Sequence, residues 1–206
     1  MKPSKQLSRV EKVRICWVLG IAFALVALSV VGGVARASEK STIRWDIVRV
    51  DFATLTVSPG GHASAHTIDG SRIRLTGSGT FEPGGDEVTG GGTWRTFDAS
   101  GTQTGSGQYR AMRLVSWYAG PGTLPCPPIT DNVGNCADVS SGLAVLQIRY
   151  SNGGVGKLVV SCRLPVGPSP SMYEGVTASK GFVDYFFPED AEATGNGTAF
   201  HVTPED

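Results

Sequence analysis

A six-residue phrase occurs three times between residues 76 and 109 of this chain, and it constrains the fold more than any other feature. Each copy reads Thr-Gly-small-Gly-any-aromatic, at residues 76–81, 89–94 and 104–109. Segments rich in Gly, Pro, Asp and Ser, which favour turns, separate the copies. Because side chains alternate along a strand, the pattern predicts three consecutive antiparallel strands whose glycines and aromatic rings share one inward face.

Centring the two turns on the intervening segments predicts that Gly77 lies opposite Gly92, and Gly92 opposite Gly107. Two interpretations stay open. The glycines can let the strands coil sharply beneath covering aromatic rings, or their bare backbone can form the floor of a groove for a small apolar or ring-shaped ligand. We favour the first. Under the second, the candidate ligand-binding residues are Phe81, Trp94 and Tyr109.

The strand after the third copy contains a conflict over Arg113. Strict alternation from Tyr109 would bury Arg113, whereas a β-bulge near Arg110 would turn Met112 and Leu114 inward instead. We favour the bulge. A buried Arg113 would need a carboxylate partner or an anionic ligand, so it is the fourth candidate site residue.

The rest of the chain predicts an all-β fold, because short apolar runs alternate with turns and helical periodicity is almost absent. We expect an antiparallel meander that closes into a single β-barrel of about eight strands, with a two-sheet β-sandwich as the alternative. Two segments are expected to be long loops, and the second could hold one helical turn over residues 172–178. The predicted strands cover residues 43–57 (bent near Asp51), 62–67, 72–81, 88–97, 102–118, 143–150, 157–164, 182–187 and 198–202, and the loops residues 120–141 and 165–180.

The first 37 residues predict an export signal. A basic start precedes an apolar run over residues 15–34, and Ala35-Arg36-Ala37 fits a signal-peptidase site. We therefore expect a signal peptide over residues 1–37 and a single secreted or cell-envelope domain over residues 38–206. The alternative is an uncleaved anchor, because about 20 apolar residues can span a bilayer. That segment is the only membrane contact that we expect.

Charge and cysteine content narrow the function. The full chain has 18 Lys+Arg and 18 Asp+Glu, and residues 38–206 keep 12 and 17, a formal charge of −5. Nucleic acid is therefore not an expected partner.

Export favours a disulfide, and we expect Cys126 to pair with Cys136 across a Pro-rich segment; a bridge involving Cys162, or no bridge, are the alternatives. No metal and no cofactor are expected, since His62 and His66 are too far apart on a strand to share an ion.

No motif for a catalytic nucleophile, a phosphate loop or a dinucleotide site occurs, so catalytic residues stay unknown. A family resemblance is carried by the export signal and by the segments Gly-Ser-Gly-Thr-Phe, Gly-Gly-Gly-Thr-Trp and Val160-Ser161-Cys162-Arg163-Leu164-Pro165. In these features the chain resembles uncharacterised secreted bacterial β-rich proteins. That resemblance implies bacterial export and a β-rich domain. It carries over no site residue.

Three functions remain open at this point. The first is a non-enzymatic module that binds a small ligand at the Gly/aromatic face. The second is a secreted barrel enzyme of the isomerase or hydrolase type that uses a buried Arg113 and a carboxylate. The third is a structural or surface-interaction protein without a pocket.

Overall fold

The computed structural model describes residues 41–85, 87–166, 172–190 and 195–204. The predicted signal peptide lies outside the described residues. Within them, no helix has the length and apolar character to cross a membrane. One short 3₁₀ helix covers Cys136–Asp138. The strands are β1 (Ser41–Asp51), β2 (Thr56–Ser58), β3 (Ala63–His66), β4 (Arg72–Leu75), β5 (Ser78–Phe81), β6 (Gly91–Phe97), β7 (Gln103–Gly120), β8 (Thr130–Asp131), β9 (Val139–Tyr150), β10 (Val155–Cys162), β11 (Gly175–Lys180), β12 (Val183–Tyr185), β13 (Phe187–Pro188) and β14 (Asn196–Pro204).

Six of these strands close into an antiparallel barrel. Pairing runs from β1 to β5, β6, β7, β9 and β14, and β14 pairs again with β1. Six further strands extend the wall outward, β10 to β12 from β9 and β4, β3 and β13 from β6, while β2 pairs with β1 and β8 with β2. The predicted all-β fold and barrel are confirmed, with six strands in the closed ring instead of about eight. The strands form a barrel and not the alternative two-sheet sandwich.

The barrel encloses one main hydrophobic core. Apolar residues at alternating positions of the long strands point into it, and Trp45 of β1 and Leu146 of β9 are fully buried. Burying a large apolar side chain contributes about 1.5–3 kcal/mol relative to leaving it exposed. A smaller cluster lies outside the ring, where the segment around Val133 covers Val48 of β1. The alternation visible in the sequence therefore decides which face of each strand is inside.

The first hairpin of the repeated phrase has the predicted register. Ser78 pairs with Gly91 and Leu75 with Trp94, which places Gly77 opposite Gly92. The predicted strand over residues 72–81 is nevertheless broken between β4 and β5. Each half therefore finds a different outer partner, β4 pairing with β3 and β5 with β1.

The second hairpin is shifted by two residues from the prediction. Gly92 pairs with Tyr109 instead of Gly107. The Asp98 N–H donates to the Thr102 carbonyl at 2.9 Å, so the turn is one residue longer than expected, and a register shift beside Thr96 adds the second. Because side chains alternate with period two, a shift of two keeps every residue on its predicted face.

The predicted helical turn over residues 172–178 is wrong. Gly175–Lys180 forms β11, which pairs with β10 and β12. Val176 and Ala178 are buried, and Thr177 between them is only partly buried. This alternation is typical of a strand, and a run of four residues is too short to establish it against a helical turn.

Candidate functional site

The three aromatic side chains of the repeated phrase lie in the core and do not line an open groove face. Phe81, Trp94 and Tyr109 are 1%, 5% and 4% exposed. The Trp94 ring covers the glycines opposite it, because a Cβ atom placed on Gly105 would lie 3.1 Å from the ring. The aromatic rings thus occupy the room that the missing side chains leave.

Hydrogen bonds and ring contacts fix these side chains in place. The Tyr109 hydroxyl donates to the Thr76 carbonyl at 2.8 Å. The Phe81 ring lies 5.3 Å from that of Trp117. The Lys180 ammonium lies 4.2 Å from the centroid of the Trp94 ring, a cation–π contact that covers the ring. Each ring therefore already has partners within the chain.

Arg113 is exposed and does not join the three rings. Register shifts follow Ala111 and Leu114 in β7, so β7 contains the expected bulge, but beyond Arg110. Ala111 stays inside, Leu114 packs against the core, and Met112 is 39% exposed. The expectation that the bulge would turn Met112 inward is therefore wrong, whereas Leu114 does face the core.

A well-formed cleft lies elsewhere, where the ends of β1 and β10, the entry to β11 and the start of β14 meet. Its volume is about 590 Å³, within the usual range of small-molecule sites. Apolar side chains form much of its wall: Val50, Phe52, Leu124, Ile129, Leu164 and Pro165. Three carboxyl groups also line it: Glu174, Glu189 and Asp190.

Two backbone hydrogen bonds hold Glu174 at this cleft. Its Oε2 accepts from the Arg163 N–H at 2.6 Å, and its Oε1 accepts from the Thr198 N–H at 2.6 Å. The Thr198 hydroxyl lies 3.0 Å from the same Oε1 and donates its one proton to the Ser161 carbonyl at 2.7 Å. Gly175 follows with φ 113°, a conformation that favours glycine, and lets the chain turn from Glu174 directly into β11. The carboxyl group is therefore positioned by backbone N–H groups directly after β10 and within β14.

Burial raises the pKa of Glu174 from 4.5 to about 7, against the opposing effect of its backbone hydrogen bonds. A carboxyl pKa shifted this far from its ordinary value is a property that is concentrated at binding and catalytic sites. Cys162 also lines the cleft, but burial raises the pKa of its thiol well above 9. A thiol in that state is a poor nucleophile.

The expected disulfide between Cys126 and Cys136 is present, and Cys162 is a buried free thiol. Beside the bridge, His201 Nε2 lies 2.7 Å from Asp131 Oδ2, and both side chains are almost fully buried. Gly134 lies directly against the imidazole ring. A His–Asp pair can serve catalysis only where substrate reaches the ring, so this pair ties the disulfide loop to β14 instead.

Neither His62 nor His66 lines the cleft. His62 is partly buried, and burial lowers its pKa. The His66 ring stacks on that of Phe187 at 5.3 Å. Across the described ranges, no three His, Cys, Asp or Glu side chains come together as metal ligands.

Sequence reasoning missed Glu174 because its segment was assigned to a loop. The one signal near it is the apolar–polar alternation from Val176 to Ser179, and a run of four residues is too short to distinguish a strand from a helical turn. The partners of that carboxyl, the Arg163 and Thr198 amides, come from strands that are distant in sequence. Only the three-dimensional structure brings them together.

Comparison with known proteins gives no match: no family model fits this sequence, and no curated protein or solved structure is significantly similar to it.

Proposed function

We propose that this protein is an exported, non-enzymatic binding module that holds a small, largely apolar or ring-shaped molecule in the Glu174 cleft. The observation that carries the proposal is the combination of apolar walls with one oriented carboxyl group in a cavity of about 590 Å³. Such a composition, mostly apolar with a few placed polar groups, is typical of small-ligand sites. The Gly/aromatic face is a less suitable site, since its own rings cover the glycines.

Glu174 is suited to receive a cationic or hydrogen-bond-donating group of the ligand. A carboxylate offers about four acceptor positions, and two backbone N–H groups of the chain occupy two of them. A cation favours the charged carboxylate. The affinity of the cleft for a cationic ligand should therefore rise as the pH increases from 6 to 8, through the Glu174 pKa of about 7.

Native mass spectrometry of the protein from its own host tests for a retained small molecule. Benzyltrimethylammonium, a ring-bearing permanent cation, serves as a defined probe in calorimetry at pH 6 and pH 8. We expect Phe52→Ala to weaken binding, because Phe52 lines the cleft, and the matched variant Phe182→Ala to leave it unchanged, because Phe182 is fully exposed elsewhere. A clean apo mass together with no probe binding would refute the proposal.

Acid–base catalysis by Glu174 is the second candidate, and the carboxyl with a near-neutral pKa favours it. The earlier enzyme hypothesis relied on a buried Arg113, and that residue is exposed. Conversion of a retained molecule on incubation with protein, abolished in Glu174→Gln, would support catalysis over binding.

Export is part of the proposal and rests on the basic start, the apolar run and Ala35-Arg36-Ala37. N-terminal sequencing of protein recovered outside the cytoplasm should begin at residue 38. A chain that begins at residue 1 would instead support the uncleaved anchor.

A further inference from the structure

The basic residues of the described chain are concentrated on one sheet. Strands β10, β9, β7, β6 and β4 are neighbours in that order. Together they contain no Asp or Glu, although residues 38–206 have a formal charge of −5. Their seven basic residues are Arg72, Arg74, Arg95, Arg110, Arg113, Arg149 and Lys157.

All seven side chains lie on the outer face of the sheet. Their neighbours along each strand, such as Ile73, Trp94 and Ile148, are buried in the core, and successive side chains point to opposite faces. Five of the seven are exposed, and Arg72 and Arg74 are partly buried. The core therefore faces one side of these strands, and positive charge faces the other.

The charges form an oblique stripe across the five strands. Arg74 lies opposite Arg95 at one end. Four residues further along the β6–β7 ladder, Arg110 lies opposite Arg149, and Lys157 on β10 lies two residues beyond Arg149, opposite Gln147. With strands about 4.8 Å apart and about 3.3 Å per residue, the stripe is about 30 Å long. We call it the basic stripe.

Two of these contacts place like charges directly opposite each other, Arg74 against Arg95 and Arg110 against Arg149. Like charges at such positions destabilise a sheet. Among the described residues, Arg72 is the only member of the basic stripe in a salt bridge, with Glu189 at 3.2 Å. The fold thus tolerates a repulsion that an external anion would relieve.

A shallow cavity lies on the basic stripe. Its volume is about 310 Å³, and its wall is formed by Gln108, Tyr109, Arg110, Arg149, Tyr150, Ser151 and Gly153. Two guanidinium groups can bind one planar anionic group, and the amide and hydroxyl groups beside them can form hydrogen bonds with neutral groups next to that anion. The cavity thus offers a defined seat within the stripe.

We propose that the basic stripe binds a linear acidic polysaccharide, a sugar polymer that carries carboxylate or sulfate groups. The charges follow a line, as a polymer chain does, and arginine side chains match planar anions. Amide and hydroxyl side chains between them, such as Gln108 and Ser106, can bond sugar hydroxyls. The Trp94 and Tyr109 rings face inward, so nucleic-acid bases have no stacking platform at the centre of the stripe.

Polygalacturonate, immobilised on a sensor, is the probe, and the purified full chain is tested in 50 mM and 200 mM salt. We expect binding that weakens steeply with salt. The double variant Arg110→Gln/Arg149→Gln should bind about tenfold more weakly, since each exposed ionic contact contributes a factor of up to about five. Its melting temperature should stay equal or rise, because a like-charge pair is removed.

The matched control is Arg49→Gln, which removes one exposed charge from β1 outside the stripe; it should keep full binding, whereas Arg110→Gln alone weakens it. Absence of polygalacturonate binding in 50 mM salt would overturn the proposal, as would an equal loss in Arg49→Gln. Tighter binding to single-stranded DNA or to anionic lipid vesicles than to polygalacturonate would also overturn it. None of these results depends on the Glu174 cleft.

Discussion

The repeated phrase and the Glu174 cleft represent opposite solutions to the same packing problem. In the first region, Trp94 and Tyr109 fill the space above glycines, and the Tyr109 hydroxyl is bonded to the Thr76 carbonyl at 2.8 Å. In the second, apolar side chains surround a cavity of about 590 Å³, and Glu174 sits at its wall. The region with the clearest sequence pattern is packed by its own chain, and the region with little pattern is open.

This contrast shows why the clearest sequence pattern in this protein does not mark the candidate binding site. A repeated pattern records a constraint that recurs at every strand, such as curvature and close backbone approach. A site is built once, from strand ends that meet only in the folded barrel. The cleft draws on β1, β10, β11 and β14, whose residues are spread over most of the described chain.

The largest expected effect is at Gly92, which tests whether the glycines are required by packing alone. A Cβ atom on Gly92 would overlap the Thr76 carbonyl oxygen, and backbone atoms can move only if β6 separates from its partner. We expect Gly92→Ala to lose about 5 kcal/mol or more, enough to prevent folding of a typical domain. Circular dichroism and soluble yield measure this.

The control for Gly92 is Gly154→Ala. The nearest atom to a Cβ there is Asn152 Oδ1 at 3.5 Å, an ordinary contact, so the change should stay within about 0.5 kcal/mol. A Gly92→Ala protein as stable as the Gly154→Ala protein would show that the two backbones are not in close contact.

The next largest effect is expected for Trp94→Ala. The side chain is 5% exposed and covers Gly105 and Gly107, so its removal leaves a cavity and should cost about 3–5 kcal/mol in urea unfolding. Phe182→Ala, at a fully exposed ring, is the matched control and should be neutral. If the Trp94→Ala protein were as stable as the parent but no longer bound ligand, the binding site would lie at the Gly/aromatic face instead.

Alternation and turn residues were sufficient to predict most of the barrel. They located the break near Asp51 and the inward face of the repeated phrase. The Cys126–Cys136 pairing followed instead from expected export and from the Pro-rich segment between the two cysteines. They failed by two residues in the β6–β7 register, because a longer turn and a bulge beside Thr96 leave no mark in composition. The predicted inward face was still right, because a total shift of two residues leaves each side chain on the same face of the sheet.

The sites were much less predictable. Glu174 depends on amides of Arg163 and Thr198, and backbone donors carry no sequence signature. The seven residues of the basic stripe are scattered from Arg72 to Lys157 in the sequence. Strand order alone brings them to one face, and strand order in a closed barrel follows from long-range pairing that local patterns do not specify.

The smallest effect is a pH dependence that distinguishes the open region from the packed one. Burial raises the pKa of Glu174 from 4.5 to about 7, so the folded state binds more protons than the unfolded state between these values. Its contribution to stability is therefore fully present below pH 4.5 and is lost as the pH rises through 7. The loss is at most about 3 kcal/mol.

Glu174→Gln should remove this dependence. The unfolding free energy of the variant relative to that of the parent should therefore increase from pH 4.5 to pH 8. A constant offset is also expected, because the amide can present an N–H group to the Arg163 or Thr198 donors. Asp184→Asn, on exposed β12, controls for general charge. A difference that stays flat with pH would show that the carboxyl is well solvated, and the cleft would then lose the property that sets it apart from the packed rings.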